Sequence, residues 1–195
     1  FRRVLFRSDL AQLKETGNLK LLIVTGCLAQ RYANELKEEI PEIDAIVGTG
    51  SYQQIDEIIA NLEKENNIVS LNDIEFAYNE DLPRYVTTPD YMAYLKIGEG
   101  CDNHCTYCII PYARGGKVRS RDIESIVNEA KTLADNGYKE VVLTGIHVAS
   151  YGKDLRESNL KLLDVIKRIN EIDGIERIRT SSVEPILFTD EFVSE

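Results

Sequence analysis

The chain has 195 residues, 43% of them apolar and 29% charged, which suits one or two globular domains with a sizeable core. No run approaches the ~18 consecutive apolar residues of a membrane span and no signal-peptide pattern opens the chain, so a cytoplasmic protein with no membrane partner is expected. A net charge of −10, from 23 basic and 33 acidic residues, excludes indiscriminate nucleic-acid binding but leaves recognition of one folded RNA open.

Taken in chain order, residues 1–8 (Phe1 to Ser8) hold three arginines and no acid, and the composition changes at Asp9. This octet is expected to be non-native, the alternative being a basic edge strand. With no initiator Met and a helix only starting near Thr189–Glu195, the chain reads as an internal fragment. Residues 9–65 read as part of a small N-terminal parallel α/β domain. A strand is predicted over Lys20–Thr25, a helix over about 29–40 closed by Pro41, and a second strand over Asp44–Val47. Gly48-Thr49-Gly50 then turns the chain, and Ser51 is placed to cap a helix running to about residue 65. A dinucleotide fingerprint at these glycines lacks its third glycine, so a tight turn is the better reading.

Residues 66–90, rich in asparagine and proline breaks, are predicted to link two domains. Alternation resumes in 91–195. The pattern predicts a strand over Tyr91–Ile97 and an amphipathic helix over Asp122–Asp135, with Ile123, Ile126, Val127, Ala130 and Leu133 on one face. A strand over Glu140–Thr144, a helix over Leu160–Ile172 and a strand over Arg177–Ser181 follow. Three β/α units in series are the opening of a (β/α) partial TIM barrel, so the fold class is α/β.

Three of the four cysteines, Cys101, Cys105 and Cys108, crowd one short loop directly after the first barrel strand. Disulfide scaffolds do not look like this; a metal site in a reducing compartment does. Thiolates at this spacing can each hold a different iron of one 4Fe-4S cubane and leave the fourth iron open for a chelating ligand. The competing reading is a zinc site completed by His104, which lacks the distant second ligand pair such sites usually have. The loop also lies where barrel active sites form, at the C-terminal ends of strands.

The string Gly100-Cys101-Asp102-Asn103-His104-Cys105-Thr106-Tyr107-Cys108-Ile109-Ile110-Pro111, followed by Tyr112-Ala113-Arg114-Gly115 and Arg119-Ser120-Arg121, resembles the methylthiotransferase branch of the radical S-adenosylmethionine superfamily. Thr25-Gly26-Cys27-Leu28-Ala29-Gln30-Arg31 is similar to the segment of that family's N-terminal domain bearing the third cysteine of a second cluster. Thr144-Gly145-Ile146-His147 and Arg179-Thr180-Ser181-Ser182-Val183-Glu184-Pro185 resemble the MtaB-like branch, which acts on threonylcarbamoyladenosine in tRNA. The isopentenyladenosine branch tends to carry Gly-Gln-Asn at the first of these segments, and the ribosomal-protein branch Gln-Asp. The resemblance implies an enzyme with two 4Fe-4S clusters that splits S-adenosylmethionine to a deoxyadenosyl radical, takes an electron from a donor protein and places a methylthio group on tRNA. It implies that Cys101, Cys105 and Cys108 hold the radical cluster and that Cys27 is one ligand of the auxiliary cluster, its two partners lying upstream.

Around the loop, Tyr107, Gly145, His147 and Glu184 are candidates to bind cofactor, each with an ordinary packing or solvated role as the alternative. The alternative for Cys27 is a small buried apolar residue. Arg114, Lys117, Arg119 and Arg121 form the one basic cluster of an acidic chain, a candidate for tRNA phosphates or the cofactor's carboxylate, against a solvated face neutralising nearby acids. A zinc-stabilised interaction module without catalysis is the reading from another class.

Overall fold

The computed structural model describes residues 10–62, 64, 67–74 and 85–194. The octet Phe1–Ser8 lies outside them. The chain divides into two compact units, Phe1–Phe76 and Ala77–Glu195.

The first unit is a three-stranded parallel sheet in the order β1 (Ile23–Thr25), β2 (Ala45–Val47), β3 (Ile68–Ser70). Helix α1 spans residues 10–16, and the predicted helix over 29–40 is two: α2 (Cys27–Arg31) and α3 (Ala33–Glu39). They part at Tyr32, whose φ of −119° and ψ of 36° leave helical space. No proline or glycine announces that break. Ala29, Ala33, Leu36 and Ile40 still share one core with Ile43 and Ile46, because their three- and four-residue spacing keeps them on one side.

Two expectations fail in this unit. Ser51 does not cap a helix: it lies fully buried in a 3-10 turn, Thr49–Gln54, and its Oγ accepts the Asn72 N–H at 3.0 Å. Helix α4 (Ile55–Asn61) starts after that turn and stops short of 65. The predicted linker also contains β3, which pairs in register with β2 (Ala45 with Ile68, Val47 with Ser70). Three residues beside asparagines carry too little periodicity to be read as a strand; the edge of β2 supplies the order. The turn at Gly48–Gly50 is tight, as expected, since a Cβ on Gly50 would collide with the carbonyl oxygens of Asn72 and Asp73.

The second unit is a parallel sheet in chain order, β4 (Met92–Lys96), β7 (Glu140–Thr144), β8 (Arg177–Thr180). Helices α6 (Ile123–Asp135) and α7 (Leu162–Asn170) join successive strands, and α8 (Asp190–Ser194) follows β8. Ala93, Leu95, Val141 and Leu143 alternate onto one face and pack with Ile126, Val127, Ala130, Val165 and Ile169 of the two helices. The sequence placed α6 well: Asp122 is its N-cap, accepting the Ser125 N–H at 3.0 Å. Two elements went unforeseen. A two-stranded antiparallel ribbon pairs β5 (Gly98–Glu99) with β6 (Arg119–Ser120), and a four-residue helix, α5 (Ile110–Ala113), stands inside the loop they enclose.

Candidate functional site: a cysteine loop at the strand ends

All three loops that leave the C-terminal ends of β4, β7 and β8 meet on one side of this unit. The first carries the cysteines. Cys101 and Cys108 are half-buried, Cys105 is exposed, and all are free thiols. The Asn103 N–H points at Cys101 Sγ from 3.5 Å, and the Cys108 N–H donates to the Cys105 carbonyl at 3.0 Å, which turns the chain between the second and third thiol. Among the described residues, no three His, Cys, Asp or Glu side chains are gathered as one metal ion would require. A cubane asks for something different: each thiolate binds its own iron, so the donors stand apart on a common loop. Three unpaired thiols, one of them open to solvent, fit that demand.

Tyr107 is 90% exposed beside them. The Cys105 sulfur, by charge and by hydrogen bond, pushes its phenol above the ordinary range, with smaller contributions from Cys108 and Glu184. Phenol, thiols and the Glu184 carboxylate therefore share one neighbourhood. Glu184 Oε1 lies 3.2 Å from His147 Nε2, at ion-pair distance but outside hydrogen-bond geometry, so that buried nitrogen has no hydrogen-bond partner. Nδ1 of the same ring contacts the Oγ of the fully buried Ser150. Glu184 and His147 thus join the loops after β7 and β8, and Tyr107 of the cysteine loop feels the Glu184 charge. Gly145 has a different setting: a Cβ on it would stand 3.0 Å from the Gly98 carbonyl oxygen, so its place is a close backbone approach to the ribbon.

The basic cluster is not an open phosphate patch. Arg114 Nη2 donates to Glu99 Oε1 at 2.7 Å, and Arg119 Nη1 donates to the carbonyls of Arg114 (3.0 Å) and Lys117 (3.5 Å). Arg121 is 8% exposed; it pairs with Glu129 and donates to Ser125 Oγ (2.7 Å) and the Lys96 carbonyl (3.2 Å). Of the four cations that sequence proximity grouped, Arg114, Arg119 and Arg121 are engaged by the fold's own acids and carbonyls. Glu99, unremarked in the sequence, is the acid that neutralises the nearest of them, and it stands two residues before Cys101. In the first unit Cys27 opens α2 immediately after Gly26, at the C-terminal end of β1, half-buried.

Residues 95–194, the stretch that holds the cysteine loop and all three strand ends, match the family described as the Radical SAM superfamily. The chain belongs to the radical SAM superfamily. A radical SAM protein takes a 4Fe-4S cluster and S-adenosylmethionine as cofactors. The chain is similar to ribosomal protein uS12 methylthiotransferase RimO of Clostridioides difficile, with 59% identity over 95% of this chain and 41% of that protein. RimO of Desulforamulus reducens is 46% identical over 95% and 41%, and that of Clostridium perfringens 47% over 96% and 42%. The chain thus spans about two fifths of the length of these curated relatives. Among solved structures it is similar to the radical S-adenosylmethionine methyltransferase TsrM of Kitasatospora setae, with a TM-score of 0.50, 13% identity, and coverage of 83% of this chain and 35% of that one. That likeness speaks for the radical SAM fold alone. These relatives bear the ribosomal-protein name, not that of the tRNA branch expected from the segment after β7. Among the described residues no helix is long and apolar enough to cross a membrane.

Proposed function

We propose that the chain is part of a methylthiotransferase that modifies ribosomal protein uS12, with Cys101, Cys105 and Cys108 as ligands of its radical cluster. The observation that carries the substrate is the run of 42–59% identities to uS12 methylthiotransferases across 95% or more of the chain. Two physical features agree with a protein substrate. Three of the four cations that would have steered RNA, Arg114, Arg119 and Arg121, are engaged internally. A ribosomal protein that embeds in RNA is basic, and an acidic chain of net charge −10 complements it.

When bound, the cluster and S-adenosylmethionine supply a carbon radical able to abstract hydrogen; the protein supplies position and shielding. Cys101 and Cys108 are anchored at the base of the loop, and Cys105 projects at its exposed turn. Beside the thiols, Tyr107, Glu184 and His147 would hold the cofactor's polar end, while Gly145 lets the second strand-end loop approach closely. Cys27, in the first unit, is assigned to an auxiliary cluster whose other ligands lie outside this chain.

A second reading keeps the chemistry and changes the substrate. Gly145-Ile146-His147 stands where the ribosomal-protein branch tends to carry Gln-Asp, which favours threonylcarbamoyladenosine in tRNA. Mass spectrometry of uS12 and of tRNA nucleosides from cells lacking the gene separates the two. Loss of methylthio from uS12 with intact tRNA is expected; the opposite pattern moves the assignment to tRNA. Substituting Cys105→Ala should abolish iron binding at this loop and S-adenosylmethionine cleavage while circular dichroism stays unchanged. Cleavage surviving in that variant would remove Cys105 from the ligand set, and a colourless wild type holding only zinc would favour the non-catalytic module.

A further inference from the structure

The geometry points to Arg114 and Arg119 as positioning residues that clasp the base of the cysteine loop and so fix Cys101 relative to Cys108. The inference rests on the assignment of those cysteines to the cluster. Helix α5 begins two residues after Cys108 and ends at Arg114, whose N–H closes the last turn on the Ile110 carbonyl at 2.9 Å. A helix end leaves carbonyls without intrahelical donors. Here the Arg119 guanidinium takes the C-cap carbonyl, that of Arg114, and through the same Nη reaches the Lys117 carbonyl in the turn beyond. The Arg114 side chain reaches the other way, to Glu99, two residues before Cys101.

Glu99 and Arg119 are themselves register partners in the β5–β6 ribbon. The contacts therefore close a circuit: Glu99 to the Arg114 side chain, the Arg114 carbonyl to the Arg119 side chain, and Arg119 back to Glu99 through the ribbon. One arm orients the residue that leads into Cys101, and the other holds the helix that leaves Cys108. Cys105 lies between them and outside the circuit. The Glu99 and Arg114 side chains are only 16% and 15% exposed, so their pair is screened less than a surface salt bridge. Glu99 Oε2, Arg114 Nε and Arg119 Nε are buried and have no hydrogen-bond partner, while Glu99 Oε1 pairs with Lys96 as well as with Arg114.

The test uses the full-length protein, as wild type and as Arg119→Met, Arg114→Met, Arg114→Lys and Glu99→Gln. Amide hydrogen exchange is followed at Cys108 and Arg121 in the apoprotein, and iron content and electron paramagnetic resonance after anaerobic reconstitution. Both Met variants are expected to exchange about tenfold faster or more at these amides, since a bond to a charged group is lost, and to convert from a four-iron to a three-iron signal on standing. Arg114→Lys keeps a cation for Glu99 and should recover most of the wild-type signal, which a merely disordering substitution would not show. Met variants that match the wild type in exchange and in cluster lifetime overturn the clasp. Should either Met variant fail to fold, Glu99→Gln, which keeps the shape and removes the charge, decides it by the same readouts. A wild type that takes up no iron refutes the cluster assignment instead, and the exchange of the apoprotein still decides the clasp.

Discussion

Gly100 stands between Glu99 and the first cysteine with φ at +73°, a region L side chains rarely adopt. A Cβ there would collide with the Lys117 carbonyl oxygen, main chain that cannot swing aside. Gly100→Ala is therefore expected to destabilise the second unit by more than about 1 kcal/mol and to loosen the cysteine loop. Thermal unfolding together with iron retention checks this; an alanine variant with unchanged midpoint and full iron would contradict it. At this scale the sequence was most informative where chemistry is local. Three thiols at fixed spacing identify themselves without a fold, because their identity and separation are the signal. The arginines left two readings open for the converse reason: whether a guanidinium is free depends on carbonyls and carboxylates that only the folded chain brings near, such as the Lys96 carbonyl beside Arg121.

Among elements, the 3-10 turn Val148–Ser150 and the Tyr151 that follows it tie the loop after β7 to the sheet. Tyr151 is 5% exposed and its hydroxyl donates to the Arg121 carbonyl at 2.8 Å. Burial, then the carboxylates of Asp122 and Asp154, push its phenol well above the ordinary value near 10. The folded state thus keeps this phenol protonated where an unfolded chain would ionise it. Its contribution is complete below about pH 10 and fades as pH rises above that point. Tyr151→Phe should cost about 1 kcal/mol at neutral pH and flatten the fall of stability in alkaline solution. Denaturant titrations at neutral pH and above pH 10 measure both, and equally steep alkaline losses in the two proteins would defeat the expectation. The strongly periodic helix α6 was legible, whereas β3 and the β5–β6 ribbon were not. Two- and three-residue strands owe their existence to a neighbouring edge and leave no period behind.

For the whole molecule, each of the two units is organised around a parallel sheet, as expected from the alternation of strands and helices, and its cysteines lie at the C-terminal strand ends. The surplus of acid is the property with the longest reach. If the substrate is a basic ribosomal protein, KM should rise several-fold between roughly 50 and 300 mM salt as the attraction is screened, with kcat little changed; a salt-independent KM would show that charge plays no part in recruitment. Finally, the ribbon strand β6 serves two masters. Ser120 donates from its N–H and its hydroxyl to Asp154 at 2.8 and 2.6 Å, and its Oγ accepts the Gly152 N–H at 2.8 Å. A chimera that imports a foreign cysteine loop at 98–120 while keeping the native 150–154 turn would break that shared seam, so the two segments must be exchanged together.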